Sequence, residues 1–316
     1  MVTLGFDIGK KSLVAVQTDN SHSLKKSYTL ENTKERVGCF LDQMLEKHKS
    51  FRVISEATGE YHHDLALACL KRKVPFYLLN PITTKQFVKA TVRKKKTDLS
   101  DAYIIAKLGL QKQGTLLTHE AFAREKPIIR TSVKLTSFHS SLTLMQKRFA
   151  EYYPQETELI EELNHCRDRI KKSIDIFRKR AEKYVDPKTR ELLQTIPGIG
   201  PTLATSLVAE IGNIDRFKDG KSLVAYAGLD PGVKQSGTSL NRNGRLTKRG
   251  SPYLRRFAFI AASLAAIHDP ELKSYFRAKR DEGKKYTEAV VTVSRKVLYR
   301  VYAVWKRQTP YVKVSS

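Results

Sequence analysis

The sequence predicts an α/β domain built on a mixed sheet, followed by an all-α remainder. Three observations predict it. The first hundred or so positions alternate short β-branched runs with amphipathic stretches. Apolar residues then recur three and four apart from Leu135 to Tyr184, and beyond that the chain is helical except for one basic, glycine-punctuated segment. At 316 residues the chain exceeds one average domain, and these shifts divide it into 1–120, 121–188 and 189–316.

The opening VTLGFDIGKKSLVAVQTD gives two alternating runs around Gly9-Lys10-Lys11, and SHSLKKSYTLE adds a third, a meander of three strands. A helical pattern at Lys34 to Lys47 precedes a strand at Arg52 to Glu56. A helix from Tyr61 to Lys73, a strand from Pro75 to Leu79, a helix around Thr83 to Ala90 and another from near Asp98 follow. Right-handed β-α-β crossovers then make the first strand central and set the Glu56 strand beside it. Asp7 and Glu56 are therefore neighbours at the sheet's C-terminal edge. Asp98 and Asp101, spaced i, i+3, share one helix face. Each acid alone has an ordinary explanation, and Asp98 alone reads as a helix N-terminal residue. The set reads as a site for two divalent cations about 3.5–4 Å apart, the usual apparatus for displacement at phosphorus.

In the middle, Leu135, Phe138, Leu142, Met145 and Phe149 form one seam. After the break at Tyr153-Pro154 a second runs through Leu159, Leu163, Cys166, Ile170, Ile174, Phe177, Ala181 and Tyr184. An antiparallel coiled-coil arm is predicted, either packed on itself or joining two copies. In the last third, LQTIPGIGPTLATSLVAEIG has the layout of a helix-hairpin-helix element. Gly198 and Gly200 expose backbone N–H groups, and the turn serves phosphate contact or plain packing. Helices follow at Ser251 to Ile267, Pro270 to Arg280 and Tyr286 to Arg307, with Tyr299, Tyr302 and Trp305 as core.

The net charge of +26, with 58 Lys and Arg against 32 Asp and Glu, selects a polyanionic partner, nucleic acid before an anionic membrane. The longest mostly apolar run, Phe257 to Ile267, is about half of what a bilayer needs, so a cytoplasmic protein is expected. Cys39, Cys69 and Cys166, odd in number and at apolar helical positions, read as reduced core thiols. Charge is densest between Pro231 and His268, where no acid occurs and Lys234, Arg242, Arg245, Lys248, Arg249, Arg255 and Arg256 surround the Ser236-Gly237 pair. These basic residues are candidate nucleic-acid contacts. Ser236 lacks a nearby His-Asp pair and the first glycine of a nucleophile elbow, so a metal-bound phosphate would have to activate it.

Five stretches together resemble a known family: GFDIGKKS with Asp7, ISEATGEY with Glu56, KKKTDLSDAYIIAKL with Asp98 and Asp101, the IPGIGP turn, and GLDPGVKQSGTSLNRNGRLTKRGSPYLRR with Ser236. The family is the transposases of insertion-sequence family one hundred and ten, bridge-RNA-guided serine recombinases with a DEDD carboxylate set. The resemblance implies a RuvC-like domain of the ribonuclease H superfamily holding Mg²⁺, two ions per site, through Asp7, Glu56, Asp98 and Asp101. It implies Ser236 as the nucleophile of DNA strand exchange through a covalent phosphoserine link. Donor and target DNA, a noncoding bridge RNA, and a dimer assembling to a tetramer with composite sites are the implied partners. The rival readings are a metal-dependent nuclease or Holliday-junction resolvase without a serine nucleophile, and a non-enzymatic helix-hairpin-helix DNA-binding protein. An actin-like kinase, suggested by Asp7-Ile8-Gly9, lacks a second glycine-rich phosphate loop.

Overall fold

Strands β1 (Val2–Ile8), β2 (Ser12–Thr18) and β3 (Leu24–Glu31) form the predicted meander, each antiparallel to the next. The chain continues through helix α1 (Lys34–Lys47), strand β4 (Phe51–Glu56), α2 (His63–Lys71), β5 (Phe76–Leu79), α3 (Pro81–Ala90), α4 (Asp98–Leu110) and the short β6 (Thr115–Leu116). The sheet order is β3-β2-β1-β4-β5-β6, with β1, β4 and β5 mutually parallel. This is a mixed sheet, and β1 lies inside it as predicted. The antiparallel edge strand β6 has only two residues and no sequence signal. The computed structural model describes residues 2–19, 24–57, 61–90, 97–111, 113–118, 125–234 and 242–312. Two compact units result, Met1–Phe122 and Ala123–Ser316.

Helices pack on both faces of the sheet. Leu4, Phe6, Val53 and Phe76 are buried with Val37, Leu41 and Met44 of α1. Ile54 and Leu79 pack instead with Ile104, Ile105 and Leu108 of α4. Thr97 caps α4 by accepting from Ser100 N, and the Ser100 hydroxyl reciprocates to Thr97 N.

One position sets how closely α4 approaches. A side-chain Cβ at Gly5 would collide with the Ala106 nitrogen and sit 2.5 Å from the Ala102 oxygen, so only glycine lets the helix backbone rest on the strand. Gly109, one turn further on, lies against Thr3 and Ile54. Helix α4 therefore runs opposite to β1, and its first turn reaches the end of the strand that carries Asp7.

The second unit begins with α5 (Glu125–Tyr152) and α6 (Thr157–Glu182), which fold back on each other. Then come α7 (Pro187–Gln194), α8 (Pro201–Ile211), a 3₁₀ turn (Ile214–Arg216), α9 (Gly220–Tyr226), strands β7 (Pro231–Lys234) and β8 (Arg242–Leu246), α10 (Pro252–His268), α11 (Pro270–Asp281) and α12 (Tyr286–Arg307). Leu193, Ile196, Leu207, Phe257, Val297, Val301 and their neighbours make one core.

The predicted seam is met in part. Ile174 and Ala181 are buried and Leu135, Leu142, Phe149, Leu163, Ile170 and Phe177 half-buried, whereas Phe138, Met145, Leu159, Cys166 and Tyr184 are exposed. Ile129 and Ser132 of α5, outside the predicted seam, are buried as well. Cys39 is exposed too, so of the three thiols only Cys69 belongs to a core, where burial pushes its pKa up. Among the aromatics of α12, Trp305 is buried but Tyr299 is 42% exposed.

Replacing Gly5 by Ala is expected to destabilise the protein by about 1–3 kcal/mol, the usual cost of overpacking. Urea unfolding followed by circular dichroism measures it. An unchanged midpoint would mean that α4 does not rest on β1.

Candidate catalytic carboxylate site

The pairing of β1 with β4 is in register at Phe6 and Ser55, so the residues that follow, Asp7 and Glu56, stand side by side at the C-terminal edge of the two strands. Asp98 and Asp101 occupy the first turn of α4, one turn before the residues that rest on Gly5. All four predicted acids therefore belong to one end of the first unit.

Their proximity registers on Asp7. Its carboxyl is half-buried and held above the usual carboxylate range, first by burial and then by the charges of Asp101, Asp98 and Glu56, against the weaker opposing hydrogen bond from the Ile8 backbone. Among the described residues, no three His, Cys, Asp or Glu side chains are gathered tightly enough to cage an ion as they stand. The carboxylates sense one another without closing on a common point. Their donor chemistry, four hard oxygen ligands with mutual repulsion to be neutralised, fits divalent cations such as Mg²⁺.

Asn32 is a residue that motif reading did not single out. Its side-chain amide donates to the Gly9 carbonyl at 3.0 Å and to the Tyr61 carbonyl at 3.4 Å. These two carbonyls lie in the segments that follow Asp7 and Glu56, so one side chain ties the flanks of both acids together. The residue stands in an ordinary pre-helical turn, and nothing in its local pattern signals that role.

In the second unit the IPGIGP turn separates the two predicted glycine roles. Gly198 has φ +90°, and a Cβ there would meet the Ala261 oxygen at 2.5 Å, so packing against α10 already requires glycine. Gly200 is exposed, would place a Cβ with no neighbour within 4 Å, and leads into α8 without a side-chain cap. Of the two, Gly200 is the one with open backbone.

Ser236 lies outside the described residues. The strands on either side of it, β7 and β8, form an antiparallel hairpin whose ends bear Lys234 and Arg242, and Arg245 lies on β8. Sequence reading expects no hairpin here, since PGVK and RNGRL carry few β-branched residues. Its foot is fixed by backbone bonds from Thr247 to Asp230, Lys248 to Gly228 and Ser251 to Tyr226. Lys248, Arg249 and Arg256 are exposed. Arg255 instead turns inward, and its Nη1 donates to the Ala227 carbonyl at 2.9 Å.

The raised Asp7 carboxyl gives a sign for stability. Its protonated form is favoured by the fold, so the stability that form contributes is present at low pH and is lost as pH rises above about 3.8 and through the folded value. Asp7→Asn should therefore melt a few degrees higher than the wild type at neutral pH without metal, and the gap should shrink toward pH 4. Millimolar Mg²⁺ should stabilise the wild type more than the variant. Scanning calorimetry checks both, and equal melting at pH 7 would contradict crowding of the acids.

The chain has relatives among known proteins. The chain is 25% identical over 326 aligned positions to a pilin gene-inverting protein of Moraxella bovis, covering 98% of this chain and 97% of that one. It is 30% identical over 122 positions to a transposase for insertion sequence element IS1111A of Coxiella burnetii, covering 38% of this chain and 33% of the relative. A T. thermophilus RuvC structure in complex with a Holliday junction substrate superposes with a TM-score of 0.30 at 16% identity, covering 37% of this chain and 99% of that one. Residues 4–130 match the DEDD transposase domain of IS110 elements, and residues 190–277 match the transposase domain of the IS116/IS110/IS902 family. Those two matches take in both the carboxylate unit and the hairpin, and the chain belongs to the IS116/IS110/IS902 family of insertion-sequence transposases.

Proposed function

We propose that this transposase exchanges DNA strands by phosphoryl transfer, with Asp7, Glu56, Asp98 and Asp101 holding divalent cations, Mg²⁺ in the first instance, and Ser236 as the nucleophile. The observation that carries the metal-dependent part is the crowding of Asp7 by the other three acids. Bound there, the cations would neutralise phosphate charge and favour attack at phosphorus.

Ser236 supplies what a carboxylate site alone lacks. Its Oγ attacks a phosphodiester, the P–Oγ bond forms as the P–O bond to one deoxyribose breaks, the serine proton departs, and the leaving sugar oxygen takes up a proton to become a free hydroxyl. A hydroxyl of the exchanged strand then attacks the phosphoserine and restores the serine. Bond energy is stored and no water enters. The relative that spans nearly the whole chain is named for inverting a gene. Inversion demands that ends be rejoined as well as cut, which favours a covalent carrier over hydrolysis. A noncoding RNA as the source of target choice, and assembly into dimers and tetramers, complete the proposal. Both rest on the family resemblance, and the strongly positive net charge is compatible with the RNA.

A second reading, a metal-dependent nuclease that uses the four acids and water, draws on the same carboxylates. The two separate on one residue. With labelled DNA and Mg²⁺, Ser236→Ala should yield no SDS-resistant protein–DNA adduct and no strand exchange, while Asp101→Ala should yield neither adduct nor cleavage. Both should still bind DNA. Undiminished cleavage by Ser236→Ala would install the nuclease reading, and sequencing of RNA that co-purifies with the protein tests the guide.

A further inference from the structure

The second unit contains a fully buried carboxylate, Glu210 on α8. Arg130 of α5 grips it with Nε at 2.9 Å and Nη2 at 2.7 Å, and the Ser251 hydroxyl donates to it at 2.7 Å. Lys126 Nζ stands 3.7 Å from Glu210 and donates to the Tyr226 hydroxyl at 3.0 Å. The Arg216 guanidinium lies 4.4 Å from the centre of the Tyr226 ring, and that of Arg130 lies 4.9 Å from the centre of Tyr253. Lys126 and Arg130 thus share one acid, Arg216 joins them through Tyr226, and among the described residues no carboxylate pairs with Arg216.

The excess of positive charge is visible on Tyr226. Burial pushes its phenol up, yet Lys126 and Arg216 outweigh burial and bring it below its ordinary value. Arg216 is exposed and has no carboxylate partner among the described residues, so an anionic ligand can reach it. Stacking on Tyr226 also orients the Arg216 guanidinium, whose N–H groups no carboxylate among the described residues takes up.

We propose that Lys126, Arg130 and Arg216 form a nucleic-acid contact strip that takes the phosphodiester backbone of a strand beside the foot of the hairpin carrying Ser236. This rests on the reading of the protein as a nucleic-acid-processing enzyme. Glu210 ties the strip to that foot, because Ser251, which it holds, also donates its backbone N–H to the Tyr226 carbonyl at 2.7 Å. The contact is to backbone and carries no sequence readout.

The full-length chain and its variants Arg216→Gln and Lys126→Gln are titrated with fluorescent mixed-sequence DNA and RNA between about 50 and 200 mM salt. Lys273→Gln, an exposed lysine on α11, is the control. Arg130 is left intact, because removing it would strand the buried charge of Glu210. Each strip variant should lower the slope of log affinity against log salt by about one, and the control should not. A change with DNA alone assigns the strip to DNA, and a change with RNA alone assigns it to RNA. Unchanged slopes on both, or an equal change in the control, would overturn the strip. Adduct formation by Ser236 is scored separately, so the strip and the serine mechanism fail independently.

Discussion

The close rest of α4 on β1 at Gly5 is the constraint on which the first unit depends. Four carboxylates brought to one end of a sheet repel one another. Here the β1–β4 register fixes two of them, and the rest of α4 on Gly5 fixes the other two. Burial of Asp7 first, and then the charges of Asp101, Asp98 and Glu56, hold its carboxyl above its usual range.

The second unit has the opposite sign. Its densest positive stretch is the hairpin segment, and its interior polar contacts converge on the foot of that hairpin, where Ser251, Tyr226, Ala227 and Gly228 exchange bonds with Glu210, Arg255 and Lys248. The first unit thus gathers acids at one end of its sheet, and the second gathers bases around its hairpin.

What the sequence disclosed follows from where its signals are local. The strand meander, the strand order and the four acids were legible because alternation and right-handed crossovers leave few topologies. The helix seam was legible in part: Ile174 and Ala181 are buried as expected, but Phe138 and Met145 satisfy the same three-and-four spacing and are exposed, because spacing cannot say how far a partner covers a stripe. The hairpin around Ser236 was missed because its strands are held by backbone bonds at their foot and not by side-chain pattern. Gly198 looked like a phosphate contact, and its requirement for glycine is instead accounted for by α10. The Glu210 network was invisible, since its members come from four distant segments and no spacing joins them.

The contact at Gly5 has an evolutionary consequence. The atoms that a side chain there would strike include the Ala106 nitrogen and the Ala102 oxygen, which belong to the main chain. No substitution in the helix removes them. A lineage that acquires a larger residue at this position has no compensating change available within α4 and can recover the geometry only by reversion, so the position is a mutational dead end.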